Sequence, residues 1–138
     1  VTDSDQVAQA LRLARENEVP TLIIGKGSNL LIDDHGFEGL VLHFGEGFAK
    51  ATQEGNTLRA QAGASLMALS AQAATLSLSG LEFAAGIPAS VGGAALMNAG
   101  AYGGEMSRVI AKVHCLDPAG NPLTRKSAEA SAFGSTIG

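Results

Sequence analysis

The run from Ser79 to Gly104, SGLEFAAGIPASVGGAALMNAGAYGG, constrains this chain more than any other part of it. It is built almost wholly from glycine, alanine and other small residues, yet it is no simple repeat. Glu82 and, at its edge, Glu105 carry the only charges. Glycine is required where a backbone takes positive φ or comes very close to another group. Such a run suits a neutral, close-fitting wall whose backbone N–H groups face a ligand, and it is poor in side chains for catalysis.

A second glycine motif lies upstream, at Gly25-Lys26-Gly27-Ser28-Asn29-Leu30-Leu31. It follows Thr21-Leu22-Ile23-Ile24, which reads as a buried strand. Successive N–H groups after a strand can form an anion-binding nest. The spacing excludes a Walker A loop, which needs Gly-x-x-x-x-Gly-Lys-Ser/Thr. It also departs from the dinucleotide Gly-x-Gly-x-x-Gly, because Leu30 stands at the third glycine. Leu30-Leu31-Ile32 is expected to be a second strand, so the loop joins two strands. On its own residues the motif is either a phosphate-holding turn or an ordinary tight turn.

Elsewhere the pattern is mixed α and β. Asp3 and Gln6 are spaced as a capping box before a helix with Val7, Leu11 and Ala14 on its apolar face, flanked by Ala10 and Leu13. Val19-Pro20 ends that helix. Asp33-Asp34-His35-Gly36 reads as a turn and Leu40–Phe44 as a strand. Glu54-Gly55-Asn56 reads as a hairpin turn between Ala49–Gln53 and Thr57–Ala62. Ser65 caps a helix carrying Leu66, Leu69, Ala73 and Leu76. Val109, Ala111, Val113 and Cys115 alternate with polar residues as in a half-covered strand. Pro118–Asn121 turns that strand back toward Leu123.

Composition narrows the partners. The 138 residues form one domain, with a formal charge of -4 and no basic run. These features argue against nucleic acid or an anionic membrane surface as partner. No apolar stretch is long enough to span a bilayer, and there is no signal-peptide pattern. The single cysteine, Cys115, allows no internal disulfide and fits a reducing cytoplasm. Three scattered histidines form no metal-ligand pattern, so no metal is expected.

Taken together, GKGSNLLI and GLEFAAGIPASVGGAALMNAGAYG resemble the FAD-binding domain of UDP-N-acetylenolpyruvoylglucosamine reductases, also called UDP-N-acetylmuramate dehydrogenases. The resemblance runs from about Val1 to about Lys126. It implies an α+β fold, a FAD-binding domain of the vanillyl-alcohol-oxidase type with mixed sheets and flanking helices. It implies contact with the FAD pyrophosphate by Gly25, Lys26, Gly27, Ser28, Asn29 and Leu30. It also implies a flavin-lining role for Gly86, Ile87, Pro88, Ser90, Val91, Gly92, Gly93, Asn98, Ala99, Gly100, Ala101, Tyr102 and Gly103. Ile87, Pro88, Ala99 and Ala101 are expected to form an apolar slot for the isoalloxazine. Tyr102, the only tyrosine, is expected near flavin or substrate.

The implied chemistry is a two-stage reduction in peptidoglycan precursor synthesis. Hydride passes from NADPH to FAD, then to the enolpyruvyl double bond of a UDP-sugar substrate, giving UDP-N-acetylmuramate. The resemblance further implies that residues 1–138 are a FAD-binding domain, incomplete at the N-terminus and lacking the C-terminal substrate-binding domain. The protonating serine and an essential glutamate are expected in that absent part, so no catalytic residue is assigned here. The family's Tyr-Arg pair has no counterpart in Phe133–Gly138, and Lys26 and Ala89 stand where the family commonly has small residues or glycine. Alternatives are a free-standing flavin-binding module without reductase activity, a flavin oxidase or dehydrogenase acting on another substrate, and a domain that holds no ligand. His35, His43 and His114 are expected at the surface, and Cys115 as a buried, inert thiol. Asp33 and Asp34 are expected to diverge into water.

Overall fold

The computed structural model describes residues 1–126. Phe133–Gly138, the stretch that stands where the family has its Tyr-Arg pair, lies outside the described residues. The first helix, α1 (Ser4–Glu16), starts as the sequence predicts. Asp3 accepts the Gln6 N–H at 2.8 Å. The return bond falls one residue early, because the Gln6 side-chain Oε1 takes the N–H of Thr2 rather than Asp3. Val7, Ala8, Leu11 and Ala14 are buried. Leu13 is 60% exposed, since at about 100° per residue it lies far round the helix from the Val7–Leu11–Ala14 line.

Strand β1 (Thr21–Ile24) pairs in parallel with β2 (Leu40–His43), Ile23 standing opposite Leu42. Leu42 packs with Val7 and Leu11 to make one of two small cores. A parallel pair requires a long crossover, and here it is the irregular segment 25–39. The strand expected at Leu30-Leu31-Ile32 is therefore absent. These residues find no neighbouring strand to complete their hydrogen bonds, and Leu31 is fully exposed. The expected turn does form, with Gly36 N–H on the Asp33 carbonyl at 2.8 Å.

Strands β3 (Ala51–Glu54) and β4 (Thr57–Ala60) form the expected antiparallel hairpin. Helix α2 (Leu66–Thr75) follows the Ser65 cap, and its Leu66, Leu69 and Ala73 are buried as the spacing requires. Ser70, also buried, donates its hydroxyl to the Leu81 carbonyl at 2.7 Å. A 3-10 turn (Glu82–Gly86) then brings Phe83 and Ala84 beneath α2. Short helix α3 (Val91–Leu96) adds Ala94. Leu66, Phe83, Ala84, Ala94 and Met106 form the second core.

After α3 come the two-residue strands β5 (Gly100–Ala101) and β6 (Gly104–Glu105), paired around Tyr102-Gly103. Strands β7 (Lys112–Leu116) and β8 (Pro122–Lys126) form the last hairpin. The strand expected from Val109 starts only at Lys112, because Met106–Arg108 turns in a 3-10 helix and Val109 closes that turn. Cys115 is half-buried rather than buried, since β8 is exposed along its whole length and covers little. The architecture is thus α+β, with one parallel and three antiparallel strand pairs among the described residues.

Candidate functional site

Parallel pairing puts the C-terminal ends of β1 and β2 at the same edge, where ligands of open α/β sheets commonly lie. The first glycine motif leaves β1 at that edge. Gly25 packs directly on Ser90: a Cβ added to Gly25 would meet Ser90 Oγ at 2.0 Å. Only glycine permits this approach. Ser90, 3% exposed, caps α3 by accepting the Gly93 N–H at 3.3 Å. Ser65 and Ser90 face each other across a single antiparallel bridge. The two motifs, far apart in sequence, are in contact here.

The N–H groups of the two motifs have different fates. At the start of α3, Val91 N–H donates to the Ala64 carbonyl and Gly92 N–H to the Ala62 carbonyl, each at 2.8 Å. With Gly93 on Ser90 Oγ, those donors are engaged within the protein. In the upstream loop none of the N–H groups from Gly25 to Asn29 meets an acceptor among the described residues. Gly27 has φ +70 with open space on its Cβ side, so the loop bends where only glycine is comfortable. Lys26 extends its ammonium to Ser65 Oγ at 3.0 Å. Ser28, Asn29 and Leu30 are exposed.

The other end of α3 carries the remaining residues. Asn98, at φ +46, closes the helix, and its side-chain oxygen accepts the Ser107 N–H at 2.8 Å. Ala99 N–H reaches back to the Ala94 carbonyl at 2.8 Å. Tyr102 and Gly103 follow at φ +51 and +80, forming the tip of the β5–β6 hairpin. Positive φ at a bulky residue is uncommon and strained. Tyr102 is 97% exposed. It lines an open groove of about 450 Å³ with Gly80, Glu82, Phe83, Gly103 and Gly104.

The expected site residues therefore fall into two groups at the two ends of α3. Gly25, Lys26, Ser90, Val91, Gly92 and Gly93 lie at its start, and Asn98–Gly103 at its end. Six residues of helix separate them by about 9 Å. Ile87 and Ala99 pack on the second core, while Pro88 and Gly86 are exposed. None of Ile87, Pro88, Ala99 and Ala101 lines the groove beside Tyr102. Sequence reasoning missed Ser65 as a partner of Lys26 and the Ala62–Ala64 carbonyls as acceptors for α3. The signal was the small-residue run Ala62–Ser65, which lets backbones approach closely.

His35, His43 and His114 are exposed, as expected. Asp33 accepts the His35 N–H at 2.9 Å and also contacts its ring, which holds the carboxyl below the usual carboxylate range. Among the described residues no cluster of His, Cys, Asp and Glu could hold a metal, and no helix is long and apolar enough to cross a membrane.

An α+β fold in which a glycine loop leaves a parallel strand edge and packs against the glycine-rich start of α3 fits a nucleotide-cofactor domain. Residues 1–125 match the model of the FAD binding domain family, and the chain belongs to that family. FAD is the cofactor of this family, and the fold is the vanillyl-alcohol-oxidase type expected above. More particularly, the chain is similar to UDP-N-acetylenolpyruvoylglucosamine reductases. It is 47% identical over 116 residues to that of Alkaliphilus oremlandii, covering 84% of this chain and 38% of the relative. It is 44% identical over 126 residues to that of Lactobacillus acidophilus, covering 91% and 42%. The crystal structure of UDP-N-acetylenolpyruvylglucosamine reductase from Thermus caldophilus superposes with a TM-score of 0.77 at 35% identity, over 94% of this chain and 45% of that one. The chain thus spans about two fifths of the length of its curated relatives.

Proposed function

We propose that this chain is the FAD-binding part of an NADPH-dependent cytoplasmic reductase. The intact reductase converts the enolpyruvyl ether of UDP-N-acetylglucosamine to UDP-N-acetylmuramate in peptidoglycan precursor synthesis. The names of its relatives favour this over an oxidase acting on another substrate. The observation that carries the FAD site is the row of N–H groups from Gly25 to Asn29 that meet no acceptor among the described residues, with Gly25 held against Ser90. That donor set fits a pyrophosphate, whose oxygens accept only.

In this reading Gly25–Asn29 and Lys26 hold the pyrophosphate. Val91–Gly93 position the loop rather than donate to the ligand, because their N–H groups already have acceptors. The hairpin at Gly100–Gly103 faces the flavin end, and α3 sets the distance between the two. Bound FAD supplies hydride transfer, while the chain's own residues bind, orient and exclude water. The UDP-sugar contacts, the proton donor and the NADPH-driven turnover belong to the intact reductase.

The test is direct. The purified chain is titrated with FAD and followed by flavin absorbance, then mixed with NADPH and the UDP-sugar. FAD binding without substrate-dependent NADPH consumption is expected. Gly27→Asn, which tolerates the left-handed backbone but adds a side chain over the nest, should weaken FAD binding without unfolding the domain. Unchanged affinity in that variant removes the loop from the site.

A further inference from the structure

We infer that Arg108 is a positioning residue, which with Glu105 holds the Tyr102–Gly103 turn so that the Tyr102 ring lies against the flavin. This rests on the reading of Gly100–Gly103 as the flavin end of the site. The turn is a two-residue hairpin loop with both residues at positive φ, +51 and +80. Asn, Asp or Gly ordinarily stands at the first of these positions. A tyrosine there carries the backbone cost of the left-handed region. Packing within the chain does not offset that cost, since Tyr102 is 97% exposed. A bulky side chain at a strained, unpacked position points to a surface that it meets outside the chain. The groove of about 450 Å³ beside it, lined also by Phe83 and Gly104, leaves room for a ligand ring.

The hairpin does not hold this turn by its own ladder. Strands β5 and β6 pair through only two residues each, and a hairpin so short is marginal alone. The hold comes from the segment that follows. Arg108 Nη1 donates to the Gly103 carbonyl at 2.9 Å, a hydrogen bond from a cation to the turn itself. Arg108 Nε lies 3.8 Å from Glu105 Oε1, an ion pair too long to be a hydrogen bond. The same carboxylate oxygen accepts the Ser107 hydroxyl at 2.6 Å. The Ser107 N–H donates in turn to the Asn98 side chain at 2.8 Å, at the end of α3. A chain of contacts thus runs from the turn to α3. Gly104 seats the hairpin on buried Phe83, whose side chain an added Cβ would meet at 2.7 Å. Charge decides little here, because the Arg108 and Glu105 side chains are 69% and 41% exposed. The deciding contact is the bond to Gly103, whose loss lets the turn relax from positive φ.

An electron-rich phenol ring stacked on an isoalloxazine quenches flavin fluorescence, so the emission of bound FAD reports where Tyr102 lies. The experiment saturates the chain and its variants with FAD and reads that emission. Tyr102→Phe keeps a ring but not the phenol, and emission should rise. Arg108→Ala, and Arg108→Met, which keeps the stem but removes donor and charge, should raise it by a similar amount. The Kd for FAD should change less than about tenfold in both. Arg108→Lys, which can still donate to the Gly103 carbonyl, should restore most of the quenching. Adding Arg108→Met to Tyr102→Phe should raise emission no further, as expected of a residue that acts through the ring. Thermal melts confirm folding of each variant. Parental emission in both Arg108→Ala and Arg108→Met, beside a rise in Tyr102→Phe, overturns the inference and leaves the flavin end where it was placed. A further rise in the double variant also overturns it, because Arg108 then acts on something other than the ring. Unchanged emission in Tyr102→Phe removes the hairpin from the flavin, and the inference fails with that reading. An unsubstituted chain that binds no FAD removes both.

Discussion

Ser90 joins the two glycine-rich motifs at the level of single atoms. Its hydroxyl oxygen occupies the volume that any side chain at Gly25 would claim. The serine cannot retreat, because it is buried and caps α3. Gly25→Ala should therefore cost about 1–3 kcal/mol, as overpacking of a tight contact does, and should lower the midpoint of urea unfolding. It should also displace the loop that carries the free donors. A variant as stable as the parent would show that the loop can lift away from α3. The glycine and the serine were both legible in the sequence as parts of motifs. Their mutual contact was not, since nothing in either motif names its partner.

The elements are closed by a device that the sequence conceals. Each of the three α-helices among the described residues ends in a Schellman arrangement with a non-glycine residue at positive φ: Glu18 after α1, Ser77 after α2 and Asn98 after α3. Val19, Leu78 and Ala99 N–H groups reach back to the Ala14, Ala73 and Ala94 carbonyls. Glycine is the usual signal for this cap, and its absence hides the helix ends. Glu18 is exposed, and among the described residues its carboxylate makes no ion pair. Glu18→Gly should therefore relieve left-handed strain and stabilise the chain by roughly 0.5–1 kcal/mol, read as a higher Tm. A lower Tm would show that the glutamate side chain contributes more than its backbone costs.

The β7–β8 hairpin carries an acid-sensitive turn of its own. Asp117 takes the N–H and the side-chain amide of Asn121, then the N–H of Ala119, at 2.8–2.9 Å. The Asn121 backbone bond is the largest cause that holds its carboxyl below the usual range, followed by the Asn121 side chain. A carboxyl whose pKa is lower folded than unfolded stabilises the fold above its unfolded pKa, near 3.9. That contribution disappears as pH falls through the lower, folded value. Unfolding followed from pH 6 downward should show an acid slope that Asp117→Asn makes shallower. An identical slope in the variant would place the acid sensitivity elsewhere, with Asp33 the next carboxyl to test.

At the scale of the whole molecule, two small cores are linked through short loops, and many large apolar side chains remain exposed. Such a domain has little stability to spare, so ligand binding should register strongly. FAD held at 100 times its Kd should add about 2.7 kcal/mol, a rise in Tm of roughly 10 °C. Riboflavin, which has no phosphate, would give an equal rise at the same excess over its own Kd, so the comparison must be made at equal concentration. Under that condition FAD should shift Tm more. No shift with FAD would remove this chain from the cofactor-binding role.

The sequence by itself determined the helices with capped starts and apolar spacing, the two hairpin turns at Gly55-Asn56 and Pro118–Asn121, and the cofactor class. Those features are local or are carried by long, specific motifs, and each needs only neighbours along the chain. It misjudged Leu30-Leu31-Ile32, whose apolar β-prone residues lack a partner strand in space. Only the tertiary structure decided that β1 pairs in parallel with β2 and that Ser90 rests on Gly25. It alone decided that the donors of α3 are engaged while those of Gly25–Asn29 meet no acceptor among the described residues. Strand pairing and hydrogen-bond satisfaction are properties of groups brought together from distant parts of the chain. They exist only once the backbone has closed on itself.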